Sequence, residues 1–172
     1  MKNTFLLIII LFLSFITKGQ ENIKWLGFEE AIELNKKNPK PILIDVYTDW
    51  CGYCKKMDLN TYSNKTIADY INKNFYPIKL DGEGKKDITF KDHVFKFQKE
   101  GRRGYHQLSA SLMNGKLSYP TTIFLSKKEE LLDRIPGYLD KEVMEKILVY
   151  FSKEVYKTKK WEEFNKDFKS NL

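Results

Sequence analysis

The sequence predicts an α/β fold in which a mixed β-sheet carries helices on both faces, a three-layer α/β/α arrangement. Apolar runs typical of strands alternate with helical spacing through the first part of the chain. Two further strand-like runs, 121–125 and 131–135, are joined by the charged turn 127–130, which predicts an antiparallel pair. An amphipathic segment preceded by Asp140 then predicts a closing helix that covers the sheet.

The first elements lead to a buried strand with one polar residue in it. Segment 23–26 is predicted as a short strand, and a helical pattern that begins at Phe28 ends before Pro39. The run 41–47 is otherwise apolar, as in a strand covered on both faces of its sheet. Asp45 is therefore an anomaly, because carboxyl groups are seldom buried.

The later elements are separated by a long connection, 81–119. In chain order we expect a helix from the cysteine pair through Met57, a helix after Ser63-Asn64 and a strand over 75–80. Within the long connection we expect two helical segments, one around Phe90, Val94 and Phe97 and one around Leu108 and Leu112. The closing helix should bury Val143, Met144, Ile147, Leu148, Phe151 and Val155, and a last amphipathic piece carries Trp161, Phe164 and Phe168. The connection is predicted to form a lid or docking surface around Tyr105 and His106.

The composition and the termini predict one domain between two shorter segments. With 172 residues, 42% of them hydrophobic, the chain suffices for one core. The apolar stretch Phe5–Ile16 follows a lysine and precedes small residues, which is typical of a secretory signal peptide, and it is shorter than the about 20 residues that span a bilayer. We predict a signal peptide over 1–19, a domain over 20–157 and an amphipathic extension over 158–172. The mature protein is then periplasmic or secreted and meets a membrane only during export, with an uncleaved anchor as the alternative.

The charge pattern argues against a nucleic-acid-binding protein. The formal net charge is +7, of which Lys2 and Lys18 in the predicted signal peptide carry two, leaving +5 on the rest. The lysines alternate with acidic residues along most of the chain, as on a solvated surface. The basic runs 101–104 and 157–160 are too short for a basic stripe with stacking aromatics, so we expect no nucleic-acid partner.

The sequence DWCGYCKK over 49–56 contains both cysteines of the chain, Cys51 and Cys54. Attachment of a c-type haem requires histidine directly after the second cysteine, and Lys55 stands there. A zinc site requires four ligands, and His93 and His106 lie too far downstream for a known spacing. A structural disulfide would close so short a ring that it restricts the unfolded chain little. We therefore expect no metal and no cofactor. For the cysteine pair we favour a redox-active role over a purely structural disulfide.

Redox chemistry fits the predicted position of the pair at the start of a helix. Free N–H groups and the positive end of the helix dipole stabilise a thiolate there. Cys51 is expected to attack a substrate disulfide, and Cys54, one turn later on the same side, to attack the resulting mixed disulfide. Gly52 leaves the backbone open to a substrate chain.

The chain resembles the thioredoxin superfamily in three stretches: 42–47, then Trp50-Cys51-Gly52-Tyr53-Cys54-Lys55, then Tyr119-Pro120 leading the strand 121–125. Residues 54–58, with Ile67 and Asn74-Phe75, make it most similar to secreted thioredoxin-like proteins and to the periplasmic reductase domain of the membrane electron carrier DsbD. The similarity covers roughly Phe28 to Phe151 and implies a thioredoxin fold.

The resemblance implies roles for residues outside the cysteine pair. Asp45 corresponds to a buried acid behind the second cysteine that takes the proton from Cys54, and the alternative is a polar residue at a strand edge. Pro120 corresponds to a cis-proline beside the disulfide, which leaves the backbone of Tyr119 free to pair with substrate. A plain strand-starting proline is the alternative there.

Four further residues are assigned to the neighbourhood of the site. Trp50 is expected to shield the cysteines, and Gly137 resembles a family glycine near the substrate groove. Tyr53 replaces the proline or histidine of thioredoxins and protein disulfide isomerases, so that Cys-Gly-Tyr-Cys resembles the motif of bacterial disulfide isomerases. Lys79 is predicted on balance as a surface lysine rather than a partner of Asp45.

These observations together predict an extracytoplasmic thiol–disulfide oxidoreductase that reduces or reshuffles disulfides of exported proteins. The resemblance suggests that a membrane-bound reductase supplies its electrons. The alternatives are a binding or chaperone-like module without catalysis, and an oxidant that introduces disulfides.

Overall fold

The computed structural model describes residues 22–170, so the predicted signal peptide over 1–19 lies outside the described residues. Within this range the α-helices are α1 (Phe28–Lys37), α2 (Gly52–Met57), α3 (Lys65–Asn74), α4 (Gln107–Leu112), α5 (Lys141–Ser152) and α6 (Trp161–Asp167). A π-helical segment (Asp58–Tyr62) follows α2 directly, and a 3₁₀ turn (Val155–Lys157) follows α5. The strands are β1 (Ile42–Tyr47), β2 (Tyr76–Asp81), β3 (Ile88–Phe90), β4 (His93–Phe95), β5 (Phe97–Glu100), β6 (Arg103–His106), β7 (Thr121–Leu125) and β8 (Leu131–Pro136). None of the helices in 22–170 is long and apolar enough to cross a membrane.

The central sheet is mixed, with the strand order β2-β1-β7-β8. β1 pairs in parallel with β2 and antiparallel with β7, and β8 closes the sheet antiparallel to β7. The predicted strand over 23–26 is reduced to a single bridge between Leu26 and Ile78. Because β1 lies between two strands and under two helical layers, its residues are buried up to Val46.

Side chains alternate between two cores, one on each face of the sheet. Ile42, Ile44 and Val46 belong to the core that α1 and α4 cover. Leu43 points the opposite way, into the core that α3 and α5 cover. Because strand residues alternate by two, Asp45 lies on the same face as Leu43, the face to which α2 contributes Met57. The predicted three-layer α/β/α fold is confirmed.

The connection between β2 and α4 differs from the prediction. Instead of a helix around Phe90, Val94 and Phe97 it forms two antiparallel hairpins, β3–β4 and β5–β6. The apolar residues also fit the period of a strand, and the backbone turns at Lys91 and Asp92, which both adopt positive φ. The second helical patch is confirmed as α4.

The position of Gly104 in β6 fixes the fold of the second hairpin. A Cβ atom there would stand 2.3 Å from the Phe97 ring and 2.4 Å from the carbonyl oxygen of Gln98. Glycine is thus required for the close approach of β5 and β6.

The predicted closing helix is present as α5, begun by Asp140, which accepts a hydrogen bond from the Val143 amide at 2.8 Å. The expected inward residues are buried except Val143, which is exposed, and Val155, which lies in a short 3₁₀ turn after the helix. The C-terminal residues Trp161 and Phe164 pack against Tyr150 of α5, with ring centroids 5.3 and 5.2 Å away. Segment 158–170 therefore lies against its own domain.

Deletion of residues 158–172 is expected to lower the free energy of unfolding. The two aromatic contacts to Tyr150 are worth about 1–3 kcal/mol together at about 0.5–1.5 kcal/mol each, and Tyr150 also loses its hydrogen bond to the Lys159 carbonyl. Urea unfolding of the full and shortened proteins measures the loss. Unchanged stability together with a lost self-association would contradict this account and identify the segment as an interface.

Candidate active site

The cysteine pair lies at the carboxyl end of β1, where the chain turns into α2. The Cys51 amide donates to the Thr48 carbonyl at 3.1 Å, which ends the loop after the strand. Cys51 is the N-cap residue of α2, and its sulfur accepts a hydrogen bond from the Cys54 amide at 3.0 Å. Cys51 and Cys54 form a disulfide whose Cα atoms are 5.3 Å apart. The helix start predicted for the pair is therefore present.

The two cysteines are nearly covered while their neighbours are open. Cys51 is 4% exposed and Cys54 2% exposed, whereas Trp50 is 52% and Tyr53 64% exposed. Gly52 has no atom within 4 Å of the place a Cβ would take, so the backbone beside Cys51 is open. The disulfide thus lies just below the surface, and the adjacent residues Trp50 and Tyr53 are exposed.

The loop before β7 lies beside the cysteine loop. The Tyr119–Pro120 peptide bond is cis, as the resemblance implies. The Tyr119 ring meets the Trp50 ring edge-on, with centroids 5.9 Å apart. Gly82 admits this ring, since a Cβ there would stand 2.4 Å from it. Gly137 adopts a φ of 97° and donates its amide to the Pro120 carbonyl at 2.8 Å, so it also lies at this loop.

Asp45, in β1 and on the same face of the sheet as Met57 of α2, is buried and paired with a lysine. Its Oδ2 lies 2.7 Å from Lys79 Nζ, and its Oδ1 has no hydrogen-bond partner in the described part of the chain. Lys79 Nζ also binds the carboxylate of Asp58, which follows α2. The prediction of Lys79 as a surface lysine is wrong, because the parallel pairing of β1 and β2 sets it opposite Asp45.

Lys79 is held in a cage of aromatic rings. Its ammonium lies 4.9 Å from the Trp25 ring centroid, 5.2 Å from that of Tyr47 and 5.4 Å from that of Tyr62. Such rings attract a cation through their negative faces and hold it in place. The ammonium that neutralises Asp45 is therefore positioned by five side chains.

Burial and the mutual attraction of the charges shift the pKa values of Asp45 and Lys79. Burial raises the pKa of Asp45, and the Lys79 ammonium opposes this rise without cancelling it. For Lys79, burial acts to lower the pKa, but the Asp45 and Asp58 carboxylates outweigh burial and raise the pKa. A buried carboxyl group of this kind can hold or accept a proton near neutral pH more readily than an exposed one.

The long connection meets the site at Trp50, a contact that the sequence does not reveal. The Trp50 indole donates to Glu83 Oε1 at 3.1 Å, and the Arg103 guanidinium lies 4.7 Å from the centroid of its ring. Through these two contacts Trp50, which is half exposed, joins the cysteine loop to the hairpin β5–β6 and to the loop before β3.

The prediction that His106 contributes to a lid or docking surface is wrong. His106 is buried, and its Nδ1 accepts from the Leu108 amide at 3.2 Å, so it caps α4. Within residues 22–170, no group of three His, Cys, Asp or Glu side chains is placed to hold a metal ion.

Comparison with known proteins yields one family and several partial relatives. The family described as the thioredoxin-like domain matches residues 28–152. The solution structure of a putative disulphide-isomerase from Bacteroides thetaiotaomicron is 25% identical, with a TM-score of 0.52 over 75% of this chain and 93% of that one.

Two curated relatives share shorter segments with the chain. An uncharacterised protein of Caenorhabditis elegans is 31% identical over 77 residues, which are 45% of this chain and 11% of that protein. The thiol:disulfide interchange protein DsbD of Pectobacterium atrosepticum is 32% identical over 37 residues, 22% of this chain and 6% of that protein. The chain therefore matches only about a tenth or less of the length of these relatives.

Proposed function

We propose that this chain, which belongs to the thioredoxin-like domain family, is an extracytoplasmic thiol–disulfide oxidoreductase that reduces or reshuffles disulfides of exported proteins. The observation that carries the proposal is the disulfide at the first turn of α2, where the Cys54 amide points at the Cys51 sulfur. In the reduced protein the same amide stabilises a Cys51 thiolate, the form that attacks disulfides.

The reaction begins with the reduced pair. The Cys51 thiolate attacks one sulfur of a substrate disulfide, forms a mixed disulfide with it, and releases the other substrate sulfur as a thiolate. Cys54 then loses its proton and attacks Cys51. This second step breaks the mixed disulfide, leaves the substrate with two thiols and restores the Cys51–Cys54 disulfide. Two electrons pass from the protein to the substrate.

Asp45 is proposed to take the proton from Cys54 in the second step. Its burial, its raised pKa and the free Oδ1 atom support the assignment. Lys79 then acts as a positioning residue, because it holds the other carboxylate oxygen and keeps the carboxylate form accessible.

The loops around the disulfide are proposed to bind the substrate backbone. Tyr119, which precedes Pro120, lies against Trp50 at the edge of the site. Trp50 and Tyr53, adjacent to the cysteines in the sequence, offer exposed aromatic surface. Gly52 and Gly137 leave the backbone uncovered where a chain would approach.

The cellular setting rests on the N-terminal sequence and on the resemblance to DsbD. The stretch 1–19 is proposed as a signal peptide that directs export. Substrates are then exported proteins that contain disulfides, and a membrane-bound reductase returns the pair to its reduced form. No nucleic-acid partner and no cofactor are part of the proposal.

Reduction of insulin is the direct test. The protein, kept reduced by dithiothreitol, is expected to accelerate the precipitation of insulin chains well above dithiothreitol alone. The Cys51→Ser protein should show only the rate of the reductant. A wild-type protein that fails to accelerate the reaction would favour a binding module without catalysis.

The reduction potential decides the direction of the reaction. Members of this fold range from about −270 mV for reductants to about −120 mV for oxidants. Equilibration with glutathione buffers, followed by trapping of free thiols, measures the value. A potential near the upper end would identify an oxidant that introduces disulfides and would overturn the reductase assignment.

A further inference from the structure

The hairpin β5–β6 and the loop before β3 form a basic groove next to the cysteine site. The groove encloses about 390 Å³ and is lined by Glu83, Lys85, Phe97, Lys99, Arg102, Arg103 and Gly104. We propose that it binds acidic side chains that flank the disulfide of a substrate polypeptide. The inference rests on the proposed function, to which it adds a substrate preference.

The groove touches the active site through Trp50. Two of its lining residues, Glu83 and Arg103, contact the Trp50 indole, and Trp50 directly precedes Cys51. A polypeptide whose disulfide lies at Cys51 therefore passes the groove within a few residues. This continuity distinguishes the groove from a patch elsewhere on the surface.

The charge of the groove is not neutralised by the protein itself. Four cationic side chains face one carboxylate, Glu83, which already accepts from Trp50. Among the described residues, no carboxylate forms an ion pair with any of the four cations, whereas several surface lysines are paired, as Lys36 is with Glu33 and Lys65 with Asp69. Acidic side chains of a partner are the groups that this arrangement attracts.

The groove is held in a fixed place relative to the cysteines. The His106 amide, at the end of β6, donates to the Gly82 carbonyl at 2.7 Å. The Gln107 amide donates to the Lys96 carbonyl at 2.9 Å, which joins the two chains at the same, open end of the hairpin. Gly104 leaves room for the Phe97 ring, which a side chain at this position would displace. Cationic groups on a fixed hairpin raise the association rate of a complementary chain and restrict its orientation.

Two disulfide peptides of equal length test the proposal. They differ only in the residues beside the cysteines, which are aspartate in one and asparagine in the other. The reduced wild-type protein is expected to react with the acidic peptide about tenfold faster at low salt. In 0.5 M salt the two rates should converge, since screening removes the attraction.

The variant Lys99→Gln/Arg102→Gln removes two charges from the groove and leaves Arg103 on Trp50. We expect it to lose most of the preference for the acidic peptide while its rate with the asparagine peptide is unchanged. The matched control is Lys37→Gln/Lys73→Gln, in the last turns of α1 and α3, which precede the amino ends of β1 and β2, whereas Cys51 follows the carboxyl end of β1. The control should keep the preference.

Each result identifies which idea fails. Equal rates for the two peptides with the wild-type protein would refute the binding of acidic substrates by the groove, but would leave the proposed oxidoreductase activity unaffected. Equal losses in the groove variant and in the control would show that net charge, not the groove, attracts the substrate. No reaction with either peptide would refute the proposed function itself.

Discussion

Replacement of Cys51 by serine is expected to reduce disulfide reduction to the uncatalysed rate, a loss of more than about a thousandfold. A serine hydroxyl at this position has no sulfur with which to form the mixed disulfide. Cys54, the only other cysteine of the chain, is 2% exposed and lies inside α2, so we expect it not to take over the attack. The initial rate of peptide disulfide reduction, followed by thiol release, measures the loss.

The Cys54→Ser protein is expected to fail differently. It keeps the attacking sulfur but cannot resolve the mixed disulfide, so a covalent complex of protein and substrate should accumulate in a one-to-one ratio. Mass spectrometry under non-reducing conditions detects the complex, and dithiothreitol should release it. The double variant Cys51→Ser/Cys54→Ser is the control and should trap nothing. Trapping by Cys51→Ser instead of Cys54→Ser would reverse the roles of the two cysteines.

The elements that fix the cysteine pair in space were predictable because each depends on local sequence. The apolar run 42–47 predicts the buried strand, and the pair directly after it predicts the helix start that the structure has. Asp45 stands out from sequence alone, since a single carboxyl group interrupts the run. The three-layer fold follows from the order of such segments.

The partner of Asp45 was not predictable because it depends on sheet order. Lys79 stands opposite Asp45 only when β1 and β2 are parallel neighbours in one particular register. Nothing in the residues around Lys79 distinguishes it from the many exposed lysines of the chain. Asp58 joins the pair from the π-helical segment that follows α2, which is a tertiary contact as well.

The helix expected in the long connection is absent because the apolar spacing there is compatible with the periods of both a helix and a strand. Phe90, Val94 and Phe97 fit one face of a helix, but β3 partly buries Ile88 and Phe90 at strand spacing, and Val94 is exposed. The turn residues Lys91 and Asp92 lack the glycine that usually marks a tight hairpin. The contact of the connection with Trp50 therefore became visible only in the folded chain.

The Asp45→Asn protein is expected to release substrate from the mixed disulfide about 100-fold more slowly, the lower end of what a general base contributes. Formation of the mixed disulfide should be nearly unchanged, because that step uses the Cys51 thiolate. Stopped-flow mixing with a fluorescent disulfide peptide separates the two phases. Equal effects on both phases would show that Asp45 does not act on Cys54.

The pH dependence of release gives a second signature. Asp45 accepts a proton only in its ionised form, so the release rate of the wild-type protein should rise with pH through the raised pKa of this group. Asp45→Asn should lack that rise. A variant with the same profile as the wild-type protein would assign the titration to another group.

The same substitution is expected to stabilise the fold, which separates a catalytic role from a structural one. The pKa of Asp45 is raised in the folded state above the unfolded value of about 3.9, so the folded protein binds more protons between the two values. Stability from this group is therefore lost as pH rises through that interval and stays lost above it. At neutral pH, Asp45→Asn should have a higher free energy of unfolding than the wild-type protein, because it removes a buried carboxylate whose desolvation the Lys79 ammonium does not fully offset.

Asp58→Asn is the matched control for both measurements. It makes the same change of acid to amide on the other partner of Lys79, but its side chain is 43% exposed, whereas that of Asp45 is 2% exposed. Its removal leaves the Asp45–Lys79 pair in place, so the release rate should change by less than about threefold, and stability by no more than the about 1 kcal/mol typical of an exposed ion pair. A slow release shared by both variants would mean that the disturbance passes through Lys79. Slow release in Asp45→Asn alone would assign the proton transfer to the buried carboxylate. Raised stability of the same variant would show that this carboxylate destabilises the wild-type fold.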